Sequence, residues 1–82
     1  MSRNVTYSAG QVIFLQGYPA DFAYIIEEGA VEIYLTESDH SETQLAILKA
    51  GEMFGELGIL DDAPRSASAR ALTDCSLQIM EM

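Results

Sequence analysis

Apolar residues along this chain fall in short runs, many of them alternating with polar positions, and each run is closed by glycine, proline or a polar cluster. The breaks recur roughly every eight to twelve residues, the spacing of an antiparallel sandwich or barrel. Val12-Ile13-Phe14-Leu15 is one compact run, ended by the Gly17-Tyr18-Pro19-Ala20 turn. Phe22 to Glu27 reads as the next strand, and Glu28-Gly29 reads as a tight hairpin returning the chain into Val31-Glu32-Ile33-Tyr34-Leu35. There Val31, Ile33 and Leu35 point to one side, with Glu32, Tyr34 and Thr36 on the other, so half of the strand is expected to face a core. Ser38 to Ser41 forms a polar tip. Thr43 to Lys49 brings the chain back with Leu45 and Ile47 on one face, and Ser76 to Glu81 supplies a last strand with Leu77 and Ile79 inward. Ala67, Ala69 and Ala71 alternate with Ser66, Ser68 and Arg70, a pattern of very small side chains that lets something approach closely. The pattern contains no long helix, internal repeat or linker.

Composition narrows the function classes. With 82 residues, the expectation is a single domain over 1–82 that buries roughly 60% of its unfolded surface. Apolar residues make up 49% and charged residues 21%, which is a globular rather than a disordered balance. Four Lys/Arg against thirteen Asp/Glu leave a net charge of −9, a surface that repels a phosphate backbone, so direct nucleic-acid binding is not expected. A small anion remains admissible, because local donors act within a Debye length of ~8 Å. Cys75 is the one cysteine; it permits no intrachain disulfide and reads as a small core residue in a late strand. With no signal-peptide pattern and no apolar run of membrane length, the expectation is a cytoplasmic protein without membrane contact. His40 stands alone in the polar tip, so neither a metal site of the cupin sort nor a Ser-His-Asp or Cys-His set can be assembled. We therefore expect no metal, no cofactor and no catalysis.

One segment carries most of the chemistry. Phe54-Gly55-Glu56-Leu57-Gly58-Ile59-Leu60 leads across Asp61-Asp62-Ala63-Pro64 to Arg65-Ser66-Ala67. Gly55 to Leu60 suffices for one or two helical turns whose leading N–H groups lack intrahelical partners and attract an anion. Arg65 follows a proline-terminated loop and can reach back over that helix start, offering a planar fork to two oxygens. Glu56 is the odd member, since a carboxylate beside an anion is repulsive unless it accepts from a strong donor. Blander accounts exist for each: turn chemistry for the glycines, a dipole-stabilised helix-start carboxylate for Glu56, and a surface arginine or a structural pair with Glu56 or Asp62 for Arg65.

Gly-Glu-Leu-Gly followed at this interval by Arg-Ser-Ala resembles the phosphate-binding cassette of the cyclic-nucleotide-binding domain family. Residues 9 to 29, with glycines at Gly10, Gly17 and Gly29, resemble the family's opening strands. The resemblance implies an all-β fold, an antiparallel double-stranded β-helix (jelly roll) with a short helix in the cassette, acting as a regulatory module that binds cAMP ahead of cGMP. It also assigns roles. The main-chain amides around Leu57 and Gly58 would cradle the cyclic phosphate, with Gly55 and Gly58 letting a ligand oxygen approach the main chain; Arg65 would grip the phosphate oxygens, and Glu56 would accept from the ribose 2′-hydroxyl. Ser66, with Ala67 beside it, would give a hydroxyl to the phosphate or to a purine amine. Family members continue into one or two helices that cover the base, whereas this sequence stops at Met82, so the lid is expected to lie outside it. An apolar strip left uncovered would favour a homo-oligomer, and the output would belong to an effector domain on a longer parent chain. The alternative is a ligand-free structural or protein-interaction module of the same fold.

Overall fold

A computed structural model describes residues 2–81. Its elements are β1 (Ser2–Tyr7), β2 (Val12–Phe14), β3 (Phe22–Glu28), β4 (Ala30–Thr36), β5 (Glu42–Lys49), β6 (Met53–Phe54), α1 (Glu56–Leu60), β7 (Ser68–Ala71) and β8 (Cys75–Glu81). The strands form two four-stranded sheets, ordered β1-β8-β3-β6 and β2-β7-β4-β5. Every pairing is antiparallel, and only β4 and β5 are both paired and adjacent in sequence. The chain thus wraps from one sheet to the other along its length, the jelly-roll path that the resemblance implies. Among the described residues no helix is long and apolar enough to cross a membrane.

Two local expectations change. The Glu28-Gly29 turn is not a hairpin within a sheet, because β3 pairs with β8 and β6 whereas β4 pairs with β5 and β7. It is a corner between sheets. Gly29 has φ +92°, and a Cβ there would stand 2.4 Å from the Asp74 carbonyl oxygen, so both the turn and the contact with the β7–β8 loop exclude a larger residue. Strand β4 is covered on both faces: Val31 is fully buried, but so nearly are Glu32 and Tyr34. The register shift between Ile33 and Tyr34 opposite β5 leaves Leu45 as the extra residue of β5, and β4 itself runs regularly along β7. The polar face is covered by Arg70, which lies 4.1 Å over the Tyr34 ring and donates to Glu32 at 2.6 Å and to Glu42 at 2.7 Å.

Leu45 and Ile47 do share a face of β5, and it is the solvent face, exposed at 52% and 46%; Ala46 and Leu48 turn inward. Strand β1 has no strong apolar alternation in the sequence; among its described side chains Val5 and Tyr7 meet the core. It forms because β8 offers it a full antiparallel partner from Ser2 to Tyr7.

The core lies between the sheets and holds Tyr24, Ile26, Val31, Phe54, Ala69, Ala71, Cys75 and Leu77. Each large apolar side chain buried there contributes about 1.5–3 kcal/mol. Ala69 and Ala71 are essentially inaccessible, as their alternation suggests: small residues on β7 let the facing aromatic and aliphatic side chains of the other sheet close the gap. Cys75 is a free, buried thiol whose pKa burial pushes up, a small core residue as expected. His40 is exposed at the tip between β4 and β5.

The cluster on the outer face of β4 generates a testable pH response. The hydrogen bond from Gln44, and then that from Arg70, hold the Glu32 carboxyl below the usual carboxylate range. Its stabilising contribution is complete above the unfolded value of about 4.3 and is lost as pH falls through the lowered folded value. Glu32→Gln is therefore expected to flatten the fall in melting temperature between about pH 6 and pH 3. A thermal unfolding series with an unchanged slope would remove Glu32 from the acid response.

Candidate functional site

Between β6 and β7 the chain leaves sheet geometry to build one compact constellation. Gly55 begins it in a left-handed conformation, φ 87° and ψ 0°, and serves as the N-cap of α1 without any side-chain cap bond. The N–H groups of the first turn, from Glu56 to Gly58, have no acceptor inside so short a helix. At the far end, Asp61 N–H bonds to the Leu57 carbonyl and Ala63 N–H to the Gly58 carbonyl, closing the helix before Pro64.

Arg65 is then pinned by its own backbone. Its N–H donates to the Tyr18 carbonyl and its carbonyl accepts from Gly17 N–H, both at 2.8 Å. The turn around Gly17 therefore sets where the arginine side chain starts. That side chain points inward and is only 3% exposed. Nη1 donates to the Gly55 carbonyl at 2.5 Å and Nη2 to the Phe22 carbonyl at 2.7 Å. Asp21 stands 3.6 Å from Nη2, and the Phe14 ring lies 4.0 Å from Cζ. The blander alternative, a surface position or a pairing with Glu56 or Asp62, is not what holds it. Two main-chain oxygens and a ring do.

Two buried polar atoms here have no partner: Nε of Arg65 and Oε2 of Glu56. An unsatisfied buried donor or acceptor costs about 1–3 kcal/mol, so their joint presence beside one opening is an unusual feature. The donor can take an anionic oxygen and the acceptor can take a hydroxyl. Both residues line a cleft of about 230 Å³.

Gly55, Glu56, Leu57, Gly58, Arg65, Ser66 and Ala67 all line this cleft, so the residues singled out in the sequence are brought together. Ser66 is exposed and Ala67 nearly buried. Phe14, Leu48, Met53 and Phe54 also line it and were not anticipated as site residues. They come from three other strands, and it is the pairing of Tyr24 with Phe54, of β2 with β7 and of β5 with β4 that brings them here.

The two glycines also have a packing role within the domain. A Cβ on Gly58 would lie 2.8 Å from Ala20 Cβ and 2.9 Å from the Ala63 carbonyl oxygen, so this glycine lets α1 seat against the preceding turn. A Cβ on Gly55 would lie 2.9 Å from Nη1 of Arg65, so this one makes room for the guanidinium.

Comparison with known proteins follows the same lines. Residues 4–81 match the model of a family described as the cyclic nucleotide-binding domain. The cyclic AMP receptor protein of Thermus thermophilus is 41% identical over 71 residues, covering 87% of this chain and 33% of that protein. The cAMP-dependent protein kinase regulatory subunit of Emericella nidulans is 39% identical over 70 residues, covering 85% of this chain and 16% of that protein. Among solved structures, the EAL enzyme Bd1971 in its cAMP-bound form superposes with a TM-score of 0.93 at 48% identity, over 96% of this chain and 21% of that one. Its cGMP-bound form superposes equally well. The chain spans a third or less of the length of these relatives.

Gly55→Ala tests the seating of the arginine. A positive φ costs a non-glycine residue about 1–2 kcal/mol, and the added methyl must also displace Nη1. Chemical denaturation is expected to show a loss of at least that size, whereas a variant as stable as the wild type would mean that the guanidinium is not held as described.

Proposed function

Because the chain belongs to the cyclic nucleotide-binding domain family, we propose that it is a regulatory module taking up a 3′,5′-cyclic purine nucleotide in the cleft between Gly55 and Arg65, cAMP ahead of cGMP. The observation that carries the reading is that Glu56 and Arg65, each with an unpartnered buried polar atom, line the same cleft. An anion-binding site alone would need only the second. A ligand with a hydroxyl next to a phosphodiester satisfies both.

In this reading Arg65 meets the phosphate with Nε–H and a remaining Nη–H, since a guanidinium has five donors and two are engaged by the Gly55 and Phe22 carbonyls. The first-turn amides around Leu57 and Gly58 supply further donors. Glu56 accepts from the ribose 2′-hydroxyl, which offsets its repulsion by the phosphate and rejects a deoxyribose by leaving the acceptor unpaired. Ser66, at the exposed rim, gives its hydroxyl to a phosphate oxygen or to the base. Preference for cAMP is supported by the names of the two curated relatives, while one structural relative has been solved with either nucleotide.

No catalytic step is needed by any of these groups, and we read the domain as a sensor whose output lies elsewhere on a longer chain. An overall charge of −9 argues against direct nucleic-acid binding by this segment. The competing account is a scaffold that has kept the fold without the ligand. It draws on the structural bonds that Arg65 already makes.

Calorimetric titration with cAMP, cGMP and 2′-deoxy-cAMP separates them. The wild type is expected to prefer the ribonucleotide by roughly ten- to a hundredfold, Glu56→Gln to shrink that ratio, and Arg65→Lys to weaken every ligand together, with folding checked by circular dichroism. Absence of heat with all three ligands would leave the scaffold account standing, whereas an undiminished response in Arg65→Lys would take the arginine out of the binding site.

A further inference from the structure

We propose that Phe14 is a positioning residue for the anion seat, its ring backing the Arg65 guanidinium and setting the plane in which the free N–H donors meet a ligand. The ligand's identity rests on the cyclic-nucleotide reading above; the geometry does not. Two hydrogen bonds, to the Gly55 and Phe22 carbonyls, fix the two Nη atoms. They leave the guanidinium plane able to tilt about the line joining them, as far as the side-chain stem allows, and a tilt re-aims the Nε–H donor. A flat group packed on one face of the cation stops it.

Phe14 supplies such a face, with its centroid 4.0 Å from Cζ, well inside the range of about 6 Å over which a ring quadrupole attracts a cation. The arginine side chain is nearly inaccessible, so the attraction acts with little competition from water. Cε2 of Phe14 also stands 3.4 Å from where a Cβ on Gly55 would be, which stacks ring, guanidinium and glycine against one another.

The ring is itself anchored. It packs at 6.0 Å against Tyr24 and 5.9 Å against Phe54. Phe14 belongs to the sheet of β2, and its two partners belong to the other sheet. Sliding the ring would disturb a contact that spans the sandwich. Phe14 also lines both the cleft and an apolar groove shared with Val12, Tyr18 and Ile79. An aliphatic side chain of similar size would fill the same space but would offer no quadrupole to the cation.

Phe14→Leu and Phe14→Tyr, compared with wild type, test the proposal through cAMP titration and through the NMR shifts of the Arg65 side-chain protons, which a ring beneath the guanidinium displaces upfield. Phe14→Leu is expected to lose the upfield displacement and to bind cAMP roughly five- to thirtyfold more weakly. Phe14→Tyr is expected to keep both properties. Leu and wild-type proteins with the same affinity and the same Arg65 shifts would overturn the proposal. So would ordinary, undisplaced Arg65 shifts in the wild type, a measurement that stands even if Phe14→Leu fails to fold. If the wild type does not bind cAMP, the nucleotide reading falls and the ring-current comparison alone decides the role of Phe14.

Discussion

The burial of one guanidinium organises this molecule. Arg65 is enclosed in a protein with few cations, and it is compensated chiefly by main-chain carbonyls and an aromatic face, with one largely exposed carboxylate further off. Neutral acceptors have a particular consequence. A close buried carboxylate would neutralise the arginine and compete with any anionic ligand, whereas carbonyl oxygens satisfy individual N–H groups and leave the net positive charge in place. The fold therefore holds a cation without spending its charge.

Much of the surrounding architecture can be understood as what that arrangement requires. The Gly55 carbonyl is available to Nη1 because the residue adopts a left-handed conformation that also clears space for the guanidinium. The Phe22 carbonyl lies at the start of a strand whose next alternate residue, Tyr24, joins the aromatic cluster that carries Phe14. The backbone of Arg65 is tied to the Gly17-Tyr18 turn. Separate parts of the chain converge on the same side chain, so its position depends on the whole sandwich. Arg70 shows the contrasting case. Two carboxylates hold it on the outer face of β4, and its charge is consumed in covering Glu32 and Tyr34.

The same logic explains why unsatisfied polar atoms are tolerated. A partly satisfied buried network is less stable than a fully paired one or an apolar replacement, and a small domain has little stability to spare. Retaining the Arg65 and Glu56 orphans is intelligible when a ligand completes them. Membership of the cyclic nucleotide-binding domain family and the close superposition on relatives solved with cAMP and with cGMP agree with that account.

Strands, their approximate ends and the cassette were legible in the residues, because alternation and turn residues are local properties and because Gly-Glu-Leu-Gly with Arg-Ser-Ala lies in one short stretch. Pairing was not. The corner at Gly29 looks like a hairpin in sequence, since a positive φ serves both, and only the competition among distant strands for partners assigns β3 and β4 to different sheets. The outward turn of Leu45 and Ile47, the covering of Glu32 and the formation of the polar strand β1 likewise depend on which neighbour each strand finds. In the site, the sequence alone determined which groups have the chemistry to meet an anion and a hydroxyl. Tertiary structure decided that Arg65 faces inward, that carbonyls rather than Glu56 hold it, and that Phe14 lies beneath it, because those contacts join residues far apart in the chain and no local rule of spacing encodes them.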